Sequence, residues 1–222
     1  MKKTAVILAA ALLAAALAAA LFSCGRRYED EEIISAAEDL IVRSEEINRI
    51  YFGEGIPLAD EEDFADLEPW LTPDLPPEDG ANEENGLTYY MVKPGCGYAS
   101  IEDIKNATLR VFTEDYSAIL FENAFSGVTV VVGDGDRAER QVVSLARYID
   151  AEEGYLAARI PSEDEKLPLG RVYDLEKITV VSQRGTEAKI KVPSTSPEGE
   201  AEEIELTLKM TADGWRLDTP TY

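Results

Sequence analysis

The side chains in this chain that could do chemistry are mostly carboxylates. Its 222 residues include 44 Asp and Glu against 21 Lys and Arg, a formal net charge of −23. Paired carboxylates can hydrolyse glycosides when one is a buried acid and the other an ionised nucleophile or base. With acids this frequent, pairs arise throughout, and no spacing singles out one such couple. Histidine is absent, which removes Ser-His-Asp and Cys-His catalysis, HExxH zinc chemistry and any histidine pH switch. Asp134-Gly135-Asp136 starts like a calcium loop. Ala138 and Glu139 then stand where that loop needs Asp or Asn followed by Gly, so a hairpin turn is expected instead. Cys96 lies in Lys93-Pro94-Gly95-Cys96-Gly97 with only Lys93 near it in sequence. A reactive thiolate needs a stronger positive site, so Cys96 reads as a turn residue. The expectation is a non-enzyme with no metal and no cofactor. Nucleic acid is excluded as a partner, because its phosphates would be repelled by this surface.

The other cysteine, Cys24, follows an address segment. Lys2 and Lys3 precede an apolar run over residues 6–22, the layout of a secretory signal. Its end, Leu21-Phe22-Ser23-Cys24-Gly25, resembles the lipobox of bacterial lipoproteins, which implies a diacylglyceryl group on the Cys24 thiol. Phe22 departs from that pattern, where a small or β-branched residue is usual. A plain signal peptide or an uncleaved anchor is the alternative. Residues 1–23 are thus expected to be a lipoprotein signal peptide and 24–32 a tether. Residues 33–222 are expected to form a single domain, extracytoplasmic and lipid-anchored to a bacterial membrane. Lipidation supplies roughly 0.8 kcal/mol of membrane affinity per buried methylene. It has to, because the chain from Cys24 onward carries 19 bases and 44 acids, or −25, and an anionic membrane repels it.

The elements that must position these groups change in period along the chain. Residues 28–51 place Ile33, Ala37, Leu40, Ile41, Ile47 and Tyr51 at helical spacing, after an acidic first turn and before Gly53 and Gly55. Ser100 to Asp103 resembles a capping box, with Ile101, Ile104, Thr108, Leu109 and Phe112 on one face. Thr113 is a second N-cap, and Tyr116, Ile119, Leu120, Asn123 and Ala124 continue a third helix to about Gly127. From Val128 the period becomes two. Strands are expected over 128–132, 141–149, 155–160, 175–182, 187–192 and 203–210, with a hairpin turn at Gln183-Arg184-Gly185-Thr186. In the last strand, Ile204, Leu206, Leu208 and Met210 face one way. Ala212-Asp213-Gly214 then turns into Trp215 and Leu217, both expected in the core. The fold class is α+β, with N-terminal helices packed on a curved, mostly antiparallel sheet.

Between the first helix and the rest lies a Pro-rich acidic loop, 53–88. Residues 29–92 hold 20 acids and only Arg43 and Arg49 as bases. Phe64, Leu67, Trp70 and Leu71 have the spacing of a short helical turn docked on the core. The loop reads as solvated and partly mobile; the alternative is a partner-binding loop, for which the contact candidates are Asp60, Glu61, Glu62, Asp63, Trp70, Tyr89 and Tyr90. Tyr89 and Tyr90 point opposite ways if extended, so one of them is expected to be buried.

The element order, and above all the ending Gly214-Trp215-Arg216-Leu217 with Phe112-Thr113 opening the third helix, resembles the NTF2-like cone fold. More narrowly, it resembles the IseA-type inhibitors of bacterial cell-wall DL-endopeptidases and the lipoproteins near them. The resemblance implies a non-enzymatic extracytoplasmic domain that restrains a peptidoglycan hydrolase. The alternatives are an NTF2-like small-molecule binder or enzyme, with its ligand in the cone between sheet and helices, or a structural subunit of an envelope complex. A deep, partly polar interior pocket favours the binder or enzyme; an interior filled by Ile, Leu, Val and Trp disfavours it.

Overall fold

The structure is a computed structural model that describes residues 27–64, 89–132, 139–144, 146–151 and 154–222. Helix α1 spans Asp30–Phe52, and all six of its expected apolar positions are buried. Asp30, Glu31 and Glu32 occupy the first turn, where the helix dipole favours anions. Tyr28 is also buried and packs edge-on against Trp215 at 5.0 Å. Folded structure therefore reaches five residues into the expected tether.

Two further helices, α2 (Ile101–Leu109) and α3 (Glu114–Phe121), precede the main run of strands. Both start where the sequence predicts: Ser100 accepts from the Asp103 N–H and Thr113 from the Tyr116 N–H. The strands are β1 (Tyr89–Met91), β2 (Val128–Val132), β3 (Glu139–Ser144), β4 (Tyr148–Asp150), β5 (Leu156–Arg159), β6 (Val172–Tyr173), β7 (Thr179–Arg184), β8 (Glu187–Thr195), β9 (Ala201–Thr211) and β10 (Gly214–Leu217). All their pairings are antiparallel: β1-β5-β4, β10-β9-β8-β6 with β7 also on β8, and β2 with β3. The expected α+β fold, helices on a curled antiparallel sheet, is what forms. No helix among the described residues is long and apolar enough to cross a membrane.

The core lies between α1 and the inner face of the β10-β9-β8 sheet. Ile33 and Ile41 meet Ala188, Ile190, Val192, Leu206, Leu208, Trp215 and Leu217, all buried. Period-two alternation decides this: Leu206 and Leu208 face in, Ile204 and Met210 pack half-buried beside them, and Glu203 and Glu205 face water. On that wet face Lys191 meets Glu203 at 2.6 Å and Lys189 meets Glu205 at 3.0 Å. Exposed pairs of this kind contribute about 0–1 kcal/mol each.

Two polar devices hold the second half of α1. At its C-terminus, the buried Arg147 guanidinium donates to the carbonyls of Tyr51 and Gly53, and the Tyr148 hydroxyl donates to the Ile50 carbonyl at 2.8 Å. A cation there complements the negative end of the dipole and satisfies carbonyls the helix cannot. Gly55, at φ +88, sits so close beneath them that an added Cβ would lie 2.9 Å from both Arg147 Nη2 and the Tyr148 oxygen. On the inner side, Asn48 donates to the Thr221 hydroxyl at 2.8 Å, and Thr221 donates to Ser44 at 2.7 Å. This ties the C-terminal tail under the helix.

Four local expectations are corrected. Residues 141–149 are two strands, not one. β3 pairs with β2 and β4 with β5 in separate sheets, and Arg147, between them, accepts from the Arg159 N–H at 2.9 Å and donates its own N–H to the Ala124 carbonyl at 2.7 Å. Residues 175–177 are a 3-10 turn, so the strand begins at Thr179. Ile119 is 64% exposed and Asn123 is exposed. The buried side of α3 runs through Ser117, Leu120 and Ala124, and a π turn at Glu122–Ser126 carries the helix on. Finally, the loop after α1 is partly sheet-like. Leu58 bridges Val92, and the Ala59 N–H donates to the Met91 carbonyl at 2.9 Å.

Candidate functional site

The acidic cluster expected to meet a partner is a built turn. Glu61–Phe64 form one 3-10 turn. Asp60 Oδ1 accepts from the Glu62 and Asp63 N–H groups at 3.0 and 3.3 Å, and Asp63 Oδ2 accepts from the Asp60 N–H at 2.9 Å. Lys93 Nζ sits between the two carboxylates, 2.9 Å from Asp60 and 3.2 Å from Asp63. The hydrogen bond from Lys93 holds the Asp60 carboxyl below its ordinary range, and the same bond raises Lys93. Two of the four acids are therefore committed locally, and Glu62 is exposed.

The aromatics divide as the pleat requires. Tyr90 is buried and faces the interior, so it is withdrawn as a contact residue. Tyr89, half-buried on the other face of β1, donates its hydroxyl to the Ala146 carbonyl. Cys24, Trp70 and Asp134-Gly135-Asp136 lie outside the described residues, as do Leu67 and Leu71. Cys96 is a half-buried free thiol in its turn, 3.6 Å from the Tyr98 carbonyl.

A cleft of about 660 Å³ opens elsewhere, between the α2–α3 corner and the β9–β10 hairpin. Local structure explains its shape. After α2, residues 111–113 run parallel to the outer edge of β10: the Leu217 N–H donates to the Val111 carbonyl and the Thr113 N–H to the Leu217 carbonyl, both at 2.9 Å. The Thr113 hydroxyl, already the cap of α3, donates to Asp218. Gly214, at φ +107, makes the tight turn that lets β10 fold back on β9. Leu109 and Met210, both half-buried, give the cleft an apolar portion.

Three cations line it. Lys209 is held by Asp218 at 2.7 Å and Asp115 at 3.6 Å, and the hydrogen bond it donates to Asp218 raises its pKa. Arg216 donates from Nε to the Leu109 carbonyl at 2.7 Å and from Nη1 to the Trp215 carbonyl at 2.8 Å. It thereby caps the C-terminus of α2, beside Arg43, whose Nη2 lies 3.5 Å from the Arg110 carbonyl. Burial lowers the Arg216 pKa, Asp213 opposes that shift, and the charge of Arg43 adds to it. Arg110 is exposed at the cleft. Neither Arg110 nor Arg216 makes an ion pair with a carboxylate among the described residues.

This cleft was not foreseen from sequence, although one signal was present. If Trp215 and Leu217 face the core, alternation puts Arg216 on the opposite face, next to whatever covers the β10 edge. What covers it, the corner after α2, is a tertiary contact that no local pattern shows. Among the described residues no group of three or more Asp, Glu or Cys is placed to hold a metal ion. No protein family matches the chain, and no curated protein does either.

Proposed function

We propose that the chain is a binding module displayed on the outer side of a bacterial membrane, tethered through lipid on Cys24, and that its partner is a cell-wall peptidoglycan hydrolase which it restrains. One observation supports a binder over an enzyme or a ligand-holding cone. The space between α1 and the sheet, where an NTF2-like domain would keep a small molecule, is filled by Ile33, Ile41, Ile190, Val192, Leu206, Leu208 and Trp215. Recognition then falls to the outer surface. An acidic exterior can occlude a basic substrate groove, and it speeds association at low salt. The test is muropeptide release by purified DL-endopeptidases with and without the tethered chain. A drop in release that scales with bound chain is expected. Undiminished release, with no hydrolase retained on the immobilised chain, would overturn the inhibitor reading.

A further inference from the structure

The inference goes beyond that reading and is independent of both the tether and the protein partner. Nine lysines and arginines lie within 3.0 Å of a carboxylate oxygen among the described residues: Arg43, Lys93, Arg159, Lys166, Arg171, Lys177, Lys189, Lys191 and Lys209. Of the described ones that do not, Arg110 and Arg216 line the same cleft. Arg216 is pinned by two backbone carbonyls, which fixes its planar fork and leaves Nη2 uncommitted. A preoriented guanidinium beside an exposed one suits a carboxylate, which takes two parallel N–H donors.

The opposite charge is present as well. Glu114, exposed in the first turn of α3, lines the cleft and makes no ion pair among the described residues. The same cleft is lined by the apolar side chains of Leu109 and Met210. At about 660 Å³ the volume falls within the roughly 300–1,000 Å³ typical of small-ligand sites. A free phosphate or a fully anionic ligand would leave Glu114 and Asp213 facing it unfavourably. A ligand with a carboxylate, an ammonium group and an apolar portion meets all three walls.

We infer that this cleft binds a short peptide with free termini, its carboxylate on Arg110 and Arg216 and its ammonium group on Glu114. The probe is the tripeptide Ala-Leu-Ala, titrated calorimetrically into the full chain in detergent in its free, C-amidated and N-acetylated forms. The free peptide should bind, and the amide should bind roughly tenfold or more weakly, the scale of one charge-assisted hydrogen bond. Arg110→Gln should weaken the free peptide by a similar factor yet leave the amide unchanged, and Arg110→Lys should recover part of the loss. Glu114→Gln should weaken the free peptide but not the N-acetylated one. Both variants change exposed side chains, so folding is not at stake. Equal binding of free and amidated peptide would overturn the inference. So would inorganic phosphate competing as well as the peptide, or no saturable binding at about 1 mM, the weak end of specific affinity.

Discussion

Replacing Trp215 with alanine tests whether the β9–β10 hairpin and the start of α1 share one core. Trp215 is 5% exposed, and its ring stands edge-on to Tyr28 with centroids 5.0 Å apart. Truncating a buried Trp costs about 3–5 kcal/mol through lost transfer energy and the cavity left behind. The edge-to-face pair adds about 0.5–1.5 kcal/mol of coupling beyond area. One term opposes these: Trp215 Nε1 is buried without a hydrogen-bond partner among the described residues, and removing an unsatisfied donor relieves about 1–3 kcal/mol. The packing terms win, so Trp215→Ala should lose about 3 kcal/mol, a large part of a typical domain's 5–15 kcal/mol. Trp215→Phe keeps most of the ring and discards the orphan N–H, so it should lose about 1 kcal/mol or less. The assay is urea unfolding followed by circular dichroism, with Tyr28→Ala completing a double-mutant cycle. A Trp215→Ala loss below about 1 kcal/mol, or additivity with Tyr28→Ala within about 0.3 kcal/mol, would refute this packing.

Glu165 is held at about 2, against its ordinary 4.5, chiefly by the bidentate Arg159 guanidinium at 2.6 and 2.7 Å. Its folded pKa lies below the unfolded one, so the stabilisation is complete above about pH 4.5 and disappears as pH falls towards 2. With a third of that side chain in water, it should amount to about 1–2 kcal/mol, read as the pH-dependent part of the stability that Glu165→Gln abolishes. In Lys93→Met, the Asp60 carboxyl should titrate nearer its ordinary range in a carbon-detected NMR titration; an unchanged midpoint would mean Lys93 does not hold it. Gly55→Ala should cost about 2–3 kcal/mol in urea unfolding, from left-handed strain plus displacement of the Arg147 or Tyr148 hydrogen bond. A neutral effect there would place Gly55 in open space.

The helices and the long hairpins were legible because their signals are local. The spacing of Ile33 to Tyr51, the caps at Ser100 and Thr113, and the alternation from Ile204 to Met210 each lie within one element. What failed was tertiary. Arg147 looked like one more residue of a strand, yet its side chain crosses to the open carbonyls at the end of α1. Ile119 carried the right periodicity but the wrong phase, because Ser117 and Leu120 define the packed side. The acidic cluster shows a different failure. Residues 29–92 are one-sided in charge, but Lys93, one position beyond them, is the cation that pairs with two of its members. The cleft combines a strand residue, Arg216, with a corner residue, Arg110, more than 100 positions apart, and only the β10 edge contact brings them together.

The measurement that tests the tethered-module account most directly is the mass of the chain's mature N-terminal peptide, isolated from the membrane fraction of the cells that make it. The account predicts a peptide beginning at Cys24 and carrying a diacylglyceryl group, with Cys24→Ala leaving the chain either uncleaved or released. A peptide beginning at another residue, or an unmodified Cys24, would contradict it.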